Sequence, residues 1–299
     1  MLIGKLGEFG LIDRFRKSIK TDSSVVRGSG DDCAVLKFDR HNYQLFTCDM
    51  IVEGVDFTSK DNPRLVGRKA LAVSISDIAA CGGIPRYAVV SLGIPRDTQL
   101  AYIDKVSTGL FALAREFKVN VVGGDISRSL RLVIDVSLLG VVEKKCLVLR
   151  SGAKPGDIIF VTGRLGGSLN GKHLRFIPRI KESRYLVKNL KINSMIDISD
   201  GLLQDLGQIL KESRAGAVIY ADRIPLSRQA RGLAEAFYAG EDFELLFTLS
   251  PIEAKRLLKK ELLSGYRPIG RIMEKGFGLK LVGNDGRQRK IAPRGWQHF

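Results

Sequence analysis

Apolar residues recur along the chain with two periods, and each period predicts one kind of element. Runs rich in β-branched and aromatic residues predict four strands, YQLFTCD (43–49), RYAVVSLGI (86–94), VNVVGGD (119–125) and RLVIDVSLLGVV (131–142). Apolar residues at helical spacing predict one helix from Pro63 to the pair Gly82–Gly83 and another within residues 97–118. This alternation of strands and helices predicts an α/β or α+β fold.

The second half of the chain resumes the alternation after a turn-rich break. Its predicted strands are DIIFVTG, SMIDIS, GAVIYA, ELLFTL, YRPIGRI and GLKLVG. One helix is predicted to begin at Asp200 and another at Ser250, with Pro251 in its first position and Glu253 closing a capping box. The break is SGAKPGD at 151–157. We place the domain boundary just before it, which gives domains of residues 1–145 and 146–299, in keeping with a length of 299 residues.

Composition and cysteine usage favour a globular protein of a reducing compartment. Hydrophobic residues make up 44% of the chain and charged residues 27%, and no apolar run is long enough to span a bilayer. The start, MLIGKLGEFGLIDRF, lacks the apolar core of a signal peptide. The four cysteines lie far apart without a CxxC pair, at Cys33, Cys48, Cys81 and Cys146. We therefore expect a cytoplasmic protein with no membrane partner.

The net charge of +16 admits two classes of partner, nucleic acids and small polyanionic ligands. The densest basic segment, Lys172 to Lys191, is typical of a solvated helical face. No zinc finger, RNP motif or interleaving of aromatic and basic residues accompanies it. Nucleic acid is therefore the less favoured partner, and a basic nucleic-acid-binding protein is kept only as an alternative.

Carboxylates recur where predicted strands end. Taken singly, Asp200 could cap the next helix, and Asp49 or Asp125 could form turns. Asp77 needs a partner, because its helix is otherwise apolar around it. Strand ends on one edge of an α/β sheet converge on a crevice. Together these acids predict a Mg²⁺ site that holds substrate phosphates, which glycines 123–124 would let the backbone approach; the acids are Asp31, Asp32, Asp49, Asp77, Asp125, Asp197 and Asp200.

The segment GGSLNGKH, residues 166–173, has the spacing of a phosphate-binding P-loop. His173 stands where that loop needs a serine or threonine hydroxyl for Mg²⁺. We therefore do not expect a P-loop, and the chain also has no kinase HRD or DFG motif.

Read in order, the motifs resemble the thiamine-monophosphate kinase family over nearly the whole chain. They are GEFGLI, GDDCAVL, TCDMIVEGVDF, KALAVSISDIAACGGIP, GGDISRS, RSGAKPGD, IDISDGLLQDL, GEDFELLFT and GWQHF. The family lies in the superfamily of aminoimidazole ribonucleotide synthetase, where a selenophosphate or aminoimidazole ribonucleotide type of ATP-using synthetase is the alternative. GEDFE and the terminal aromatic segment favour the kinase.

The resemblance implies a two-domain fold of the aminoimidazole ribonucleotide synthetase type, whose N-terminal sheet forms a barrel across a homodimer. It implies transfer of the γ-phosphoryl group of ATP to thiamine monophosphate, with several Mg²⁺ ions and often K⁺ assisting. Such a reaction between two anions requires positioning and charge neutralisation rather than a nucleophilic side chain.

The resemblance also implies a role for individual residues. Cys48 stands where the family usually has a hydroxyl residue, and Asp56 where it usually has histidine. The implied metal ligands are Asp32, Thr47, Cys48, Asp49, Asp77, Asp125, Asp197 and Asp200, of which Asp32, Asp125 and Asp200 are also assigned to catalysis. The implied ATP contacts are Gly124, Asp125, Arg150 and Ser199. The implied thiamine-phosphate contacts are Asp56, Glu241 and Trp296.

Overall fold

The computed structural model describes residues 2–259 and 265–299, which form two mixed β-sheets with their helices. The strands of the first sheet are β1 (Val25–Arg27), β2 (Ala34–Lys37), β3 (Asn42–Val52), β4 (Ile84–Ile94), β5 (Asn120–Arg128) and β6 (Val133–Glu143). Their order is β1-β2-β3-β6-β4-β5, and only β4 and β5 pair in parallel. All four strands predicted in this half are present.

Four helices accompany the first sheet, namely α1 (Ile3–Leu6), α2 (Glu8–Ser18), α3 (Pro63–Ala80) and α4 (Leu100–Phe117). Asn62 caps α3 by accepting from the backbone of Arg64. Helices α3 and α4 cross closely, because Gly67 lies against the carbonyl of Val106 and Gly109 against that of Arg64. A Cβ at either glycine would overlap the opposing carbonyl, so the close packing of the two helices depends on both glycines.

The opposite face of the first sheet carries exposed apolar side chains. They follow the alternation of strand residues, which sends every second side chain to the same face. These side chains are Phe46, Met50, Tyr87 and Val89, whereas Ile126 of β5 pairs with Leu92 and lies on the helix side, beside Val106 and Leu110 of α4.

The second sheet contains β7 (Ile158–Thr162), β8 (Ile192–Asp197), β9 (Gly216–Tyr220), β10 (Leu245–Leu249), β11 (Tyr266–Met273), β12 (Leu279–Val282) and β13 (Gln288–Lys290). Their order is β13-β12-β9-β11-β7-β10-β8, and only β12 and β9 pair in parallel. All six strands predicted in this half are present. The fold is therefore a two-domain α/β arrangement with mixed sheets.

Helices cover the middle of the second sheet on both faces. They are α5 (Ile180–Asn189), α6 (Leu202–Ser213), α7 (Leu233–Tyr238) and α8 (Pro251–Leu258). Ser250 caps α8 as predicted, with its side chain accepting from the backbone of Glu253. Among the described helices, none combines the length and the apolar content needed to traverse a lipid bilayer.

Helix α3 lies between the two sheets and is buried on nearly all sides. It packs against β3 and β6 of the first sheet and against β8 and α5 of the second. A helix in this position should be apolar all round. The polar side chains that α3 carries inward, Lys69, Ser74, Ser76 and Asp77, therefore need specific partners.

Candidate active site

A cavity of about 410 Å³ lies where β3, α3 and the end of β8 meet. Most of the acids predicted from the strand ends line it or lie beside it. The lining includes Asp49, Asp56, Asp77, Arg150, Asp197, Ser199, Asp200, Glu241 and Trp296. Helix α6 also brings in Asp205, and the two chain ends bring in Glu8 and His298.

Three carboxylates from separate segments form the acidic centre of the site. One oxygen each of Asp32, Asp77 and Asp197 lies within 4.8 Å of the other two. Their segments are the turn before β2, helix α3 and the end of β8, so tertiary folding alone brings them together. Like charges at this separation repel and are stabilised by a cation or by protons.

Each carboxylate of this centre is held by one of its oxygens. Thr47 Oγ1 donates to Asp77 Oδ2 and Ser76 Oγ donates to Asp197 Oδ2, each at 2.5 Å. Arg150 Nη2 donates to Asp32 Oδ1 at 2.9 Å. The second oxygen of Asp32 is buried and has no hydrogen-bond partner within the described residues, and one oxygen of Asp49 shares that state.

The acids hold protons more tightly than isolated carboxyls do. Burial, reinforced by Asp32, raises the pKa of Asp197 to about 8, and burial raises the pKa of Asp49 to about 6. Burial and the charges of Asp49 and Asp197 raise the pKa of Asp77 well above its ordinary value. Without a counter-charge, the centre therefore carries protons at neutral pH.

Asp200 lies beside this centre and does not cap α6. The N-cap position is Gly201, and the carboxylate of Asp205 accepts from the backbones of Asp200 and Gly201, each at 3.1 Å. The side chain of Asp200 is left facing the cavity, where burial and the charge of Glu8 raise its pKa to about 6. The helix-capping alternative for Asp200 is therefore wrong, because the N-cap residue is Gly201.

The cavity wall also carries a buried ion pair. Lys69 Nζ donates to Glu241 Oε2 at 2.6 Å and to the carbonyl of Asp56 at 2.8 Å. Burial raises the pKa of Glu241, although Lys69 opposes this shift. Asp56 accepts from the backbone of Val52 through Oδ2 at 2.8 Å.

The two chain ends meet at the mouth of the cavity. The backbone of Trp296 donates to the carbonyl of Asp200 at 2.9 Å, and the backbone of His298 donates to Glu8 Oε2 at 3.0 Å. The indole of Trp296 is half exposed and lines the cavity. Residues from opposite ends of the sequence thus form one wall.

Three of the residues assigned from the resemblance lie elsewhere. Cys48 is exposed, and alternation along β3 turns its side chain away from Thr47 and Asp49. Gly124 and Asp125 are exposed on the outermost strand β5 and line a separate apolar depression of about 380 Å³. Within one chain, the ligand set implied by the resemblance is therefore incomplete.

The segment that resembles a P-loop folds differently. Residues Ser168–Asn170 and Lys172–Leu174 form short 3₁₀ helices, and Lys172 contacts Asp242 and Glu244. No α-helix begins there to receive a phosphate, which agrees with the prediction.

Sequence reasoning missed Lys69, Glu8 and His298. Lys69 carried the same signal as Asp77, since both are charged residues in the run KALAVSISDIAA, which is otherwise made of apolar and small residues. Glu8 lies in GEFGLI, a motif whose role spacing alone could not define.

Comparison with known proteins gives consistent matches over almost the full length. The family described as AIR synthase related protein matches through its N-terminal domain at residues 30–142 and through its C-terminal domain at 167–281. The thiamine-monophosphate kinase of Buchnera aphidicola subsp. Acyrthosiphon pisum is 34% identical over 99% of each chain. That of Aquifex aeolicus is 34% identical over 100% of each.

A solved structure described as AaThiL complexed with AMPPCP and TMP has a similar fold. It is 33% identical in sequence, has a TM-score of 0.87, and the alignment covers 100% of this chain and 99% of that chain. The protein in that structure binds an ATP analogue together with a second ligand, so its fold accommodates two phosphorylated molecules.

Proposed function

The chain belongs to the thiamine-monophosphate kinase family of AIR synthase related proteins, and we propose on this premise that it phosphorylates thiamine monophosphate with ATP. The products are thiamine diphosphate and ADP. The observation that carries the proposal is the convergence of Asp32, Asp77 and Asp197 at a cavity that Glu241 also lines. The carboxylates can bind a cation that contacts the phosphates of a nucleotide and of a second ligand.

The acidic centre fits Mg²⁺. Hard divalent cations bind carboxylate and hydroxyl oxygens together with substrate phosphates, and the buried, unpartnered oxygens of Asp32 and Asp49 are oxygens of this kind. When bound, Mg²⁺ would neutralise phosphate oxygens on both reactants. Its ligands in this chain would be Asp32, Thr47, Asp49, Asp77, Asp197 and Asp200. K⁺ is a further ion to include in assays of the protein.

The remaining residues position the two substrates. Arg150 keeps guanidinium N–H groups beyond its bond to Asp32, and these can bind phosphate oxygens. Ser199 adds a hydroxyl at the same side of the cavity. The indole of Trp296 offers a face on which a cationic ring can stack. No side chain is needed as nucleophile, because the acceptor is itself a phosphate.

We further propose that the active protein is a homodimer formed through the exposed face of the first sheet. On that face Phe46 is 43% and Met50 57% exposed, and on the outermost strand β5 Val122 and Ile126 are 63% and 71% exposed; large exposed apolar patches mark interaction surfaces. Asp125 and Gly124 lie on that strand, remote from the cavity of their own chain. In a dimer they would complete the site of the partner.

Two further predictions from the sequence stay proposals. The boundary at 145/146 is supported by the end of β6 at Glu143 and the start of β7 at Ile158. A cytoplasmic location is supported by the four cysteines, all of which are free.

An acceptor assay tests the function. Purified protein is incubated with ATP, MgCl₂ and KCl and with thiamine monophosphate, thiamine, aminoimidazole-type precursors or selenide in parallel. We expect thiamine diphosphate and ADP in equal amounts only with thiamine monophosphate. ATP consumption with another acceptor, and none with thiamine monophosphate, would assign the chain to a different reaction of the superfamily.

A further inference from the structure

Lys69 is the largest side chain that is almost completely buried in the described part of the chain. Only 1% of it is exposed, although lysine is rarely buried without a partner. Two of its three N–H donors are used, one by Glu241 Oε2 and one by the carbonyl of Asp56. A buried charge with such short contacts fixes the positions of its partners.

The partners of Lys69 belong to different parts of the molecule. Asp56 lies in the turn that follows β3, and Glu241 lies 172 residues beyond Lys69, in the loop before β10. Both residues line the same cavity as Arg150. Lys69 is thus the link, inside the cavity wall, between the turn of the first domain and the loop of the second.

The loop that carries Glu241 has a strained backbone and is held by hydrogen bonds of the residues that follow Glu241. Glu241 and Phe243 have left-handed φ angles of 60° and 49°, which non-glycine residues adopt at a cost. Asp242 accepts from the backbone of Gly166, and Glu244 accepts from Arg179 at 2.7 Å. These bonds fix Asp242 and Glu244, and the carboxylate of Glu241 is in turn held by Lys69.

We propose that Lys69 is a positioning residue for recognition of the acceptor substrate. It binds Glu241 through Oε2 alone and leaves Oε1 to the hydrogen-bond donors or the cationic ring of the acceptor. It also holds the Asp56 turn by its carbonyl. This inference rests on the proposed function and deepens it, since it assigns Lys69 to the affinity for thiamine monophosphate rather than to phosphoryl transfer.

Substitution of Lys69 by methionine tests this role. Methionine has a similar length and no charge, so it fills the buried space without binding Glu241 or the carbonyl of Asp56. We expect Lys69→Met to raise the KM for thiamine monophosphate at least about tenfold, while kcat and the KM for ATP change less than about threefold. Lys105→Met on the exposed face of α4 serves as the control and should leave all three constants unchanged.

A double-mutant cycle with Glu241→Gln shows whether the two residues act as one unit. If Lys69 acts through Glu241, the double variant binds the acceptor no more weakly than the weaker single variant. Additive effects would overturn the proposal, and so would a fall in kcat with an unchanged KM for the acceptor. Glu241→Gln keeps an amide oxygen that can accept from Lys69. We therefore expect this variant to fold even if Lys69→Met does not.

Calorimetric titration separates this inference from the proposed function. If the wild-type protein does not bind thiamine monophosphate, the proposed function fails. If the wild type binds it and folded Lys69→Met binds it equally well, only the role of Lys69 fails. If circular dichroism shows that Lys69→Met is unfolded, Lys69→Arg is tested instead. The planar guanidinium of arginine cannot reproduce the contacts of the single ammonium group. Unchanged affinity of Lys69→Arg for thiamine monophosphate would overturn the proposal.

Discussion

Arg150 Nη2 bonds to one oxygen of Asp32 at 2.9 Å and leaves the other oxygen buried without a partner. The arginine thereby orients the carboxylate toward the oxygens of Asp77 and Asp197. A charged group held in this way has one oxygen for the fold and one for a ligand.

Replacement of Asp32 by asparagine should lower kcat at least about 100-fold, because the amide removes one negative charge from the centre. The fold should persist, since the amide oxygen still accepts from Arg150. Turnover and isothermal titration with MgCl₂ measure the two effects. A variant with normal Mg²⁺ affinity and normal turnover would show that the unpartnered oxygen of Asp32 has no ligand.

Asp200→Asn should also lower turnover at least about 100-fold, with little loss of stability, because Gly201 and not Asp200 is the N-cap of α6. Asp222→Asn, on the exposed 3₁₀ turn Ala221–Arg223, is the matched control and should be neutral. Steady-state kinetics measure the turnover of both variants, and thermal unfolding measures their stability. A large loss of stability with normal turnover would return Asp200 to a structural role.

The raised pKa values predict how stability depends on pH when metal is removed. Asp197 has a pKa of about 8 in the folded state and an ordinary value of 3.8. Between about pH 4 and pH 8 the folded protein therefore binds more protons than the unfolded chain, and this acid lowers the free energy of unfolding as pH rises. Asp49 and Asp200, each with a pKa of about 6, act in the same direction up to that pH.

Thermal unfolding in EDTA and in MgCl₂ at about pH 5.5 and pH 8 checks this dependence. The rise in Tm caused by Mg²⁺ should be larger at pH 8, because protons no longer compete for the carboxylates. Asp197→Asn should weaken the pH dependence in EDTA. Equal Mg²⁺ effects at both pH values would contradict the expected competition.

Trp296 is the only tryptophan of the chain and lines the cavity half exposed. Its fluorescence should therefore change on addition of thiamine monophosphate. Trp296→Leu should raise the Kd for this ligand about 3- to 10-fold, the range expected for loss of a cation–π contact, whereas Trp296→Phe should lose less. Affinity for ATP should not change. An unaltered Kd in Trp296→Leu would place the indole outside the acceptor site.

A subunit-mixing experiment tests the proposed dimer. Asp125→Asn and Asp200→Asn should each be nearly inactive alone. If Asp125 serves the site of the partner, a mixed dimer contains one site with neither substitution, and activity should reappear on mixing. No recovery after verified subunit exchange would mean that Asp125 does not act across subunits.

The exposed strand β5 gives an independent check on the same dimer. Ile126→Lys should convert a species of twice 33.0 kDa into one of 33.0 kDa in equilibrium sedimentation, with loss of activity. Ile252→Lys, at a similarly exposed isoleucine of α8, should leave the dimer intact. A wild-type protein that sediments as a monomer would contradict the proposed homodimer.

The sequence by itself determined the elements and the kind of chemistry. Apolar periodicity located strands β3 to β12 and helices α3, α4, α6 and α8, because it acts within a few residues, and the capped start of α8 was equally local. The burial of Asp77 followed from the apolar run around it. Even the outward turn of Cys48 was available from strand alternation beside Thr47 and Asp49.

Only the tertiary structure decided which groups meet. The pairing of Lys69 with Glu241 spans 172 residues, and the wall at the cavity mouth joins Glu8 to His298. The distance of Asp125 from the cavity depends on the strand order of the sheet. Such contacts arise when separate elements pack together, and the local periodicity of a chain carries no information about which partner each buried charge finds.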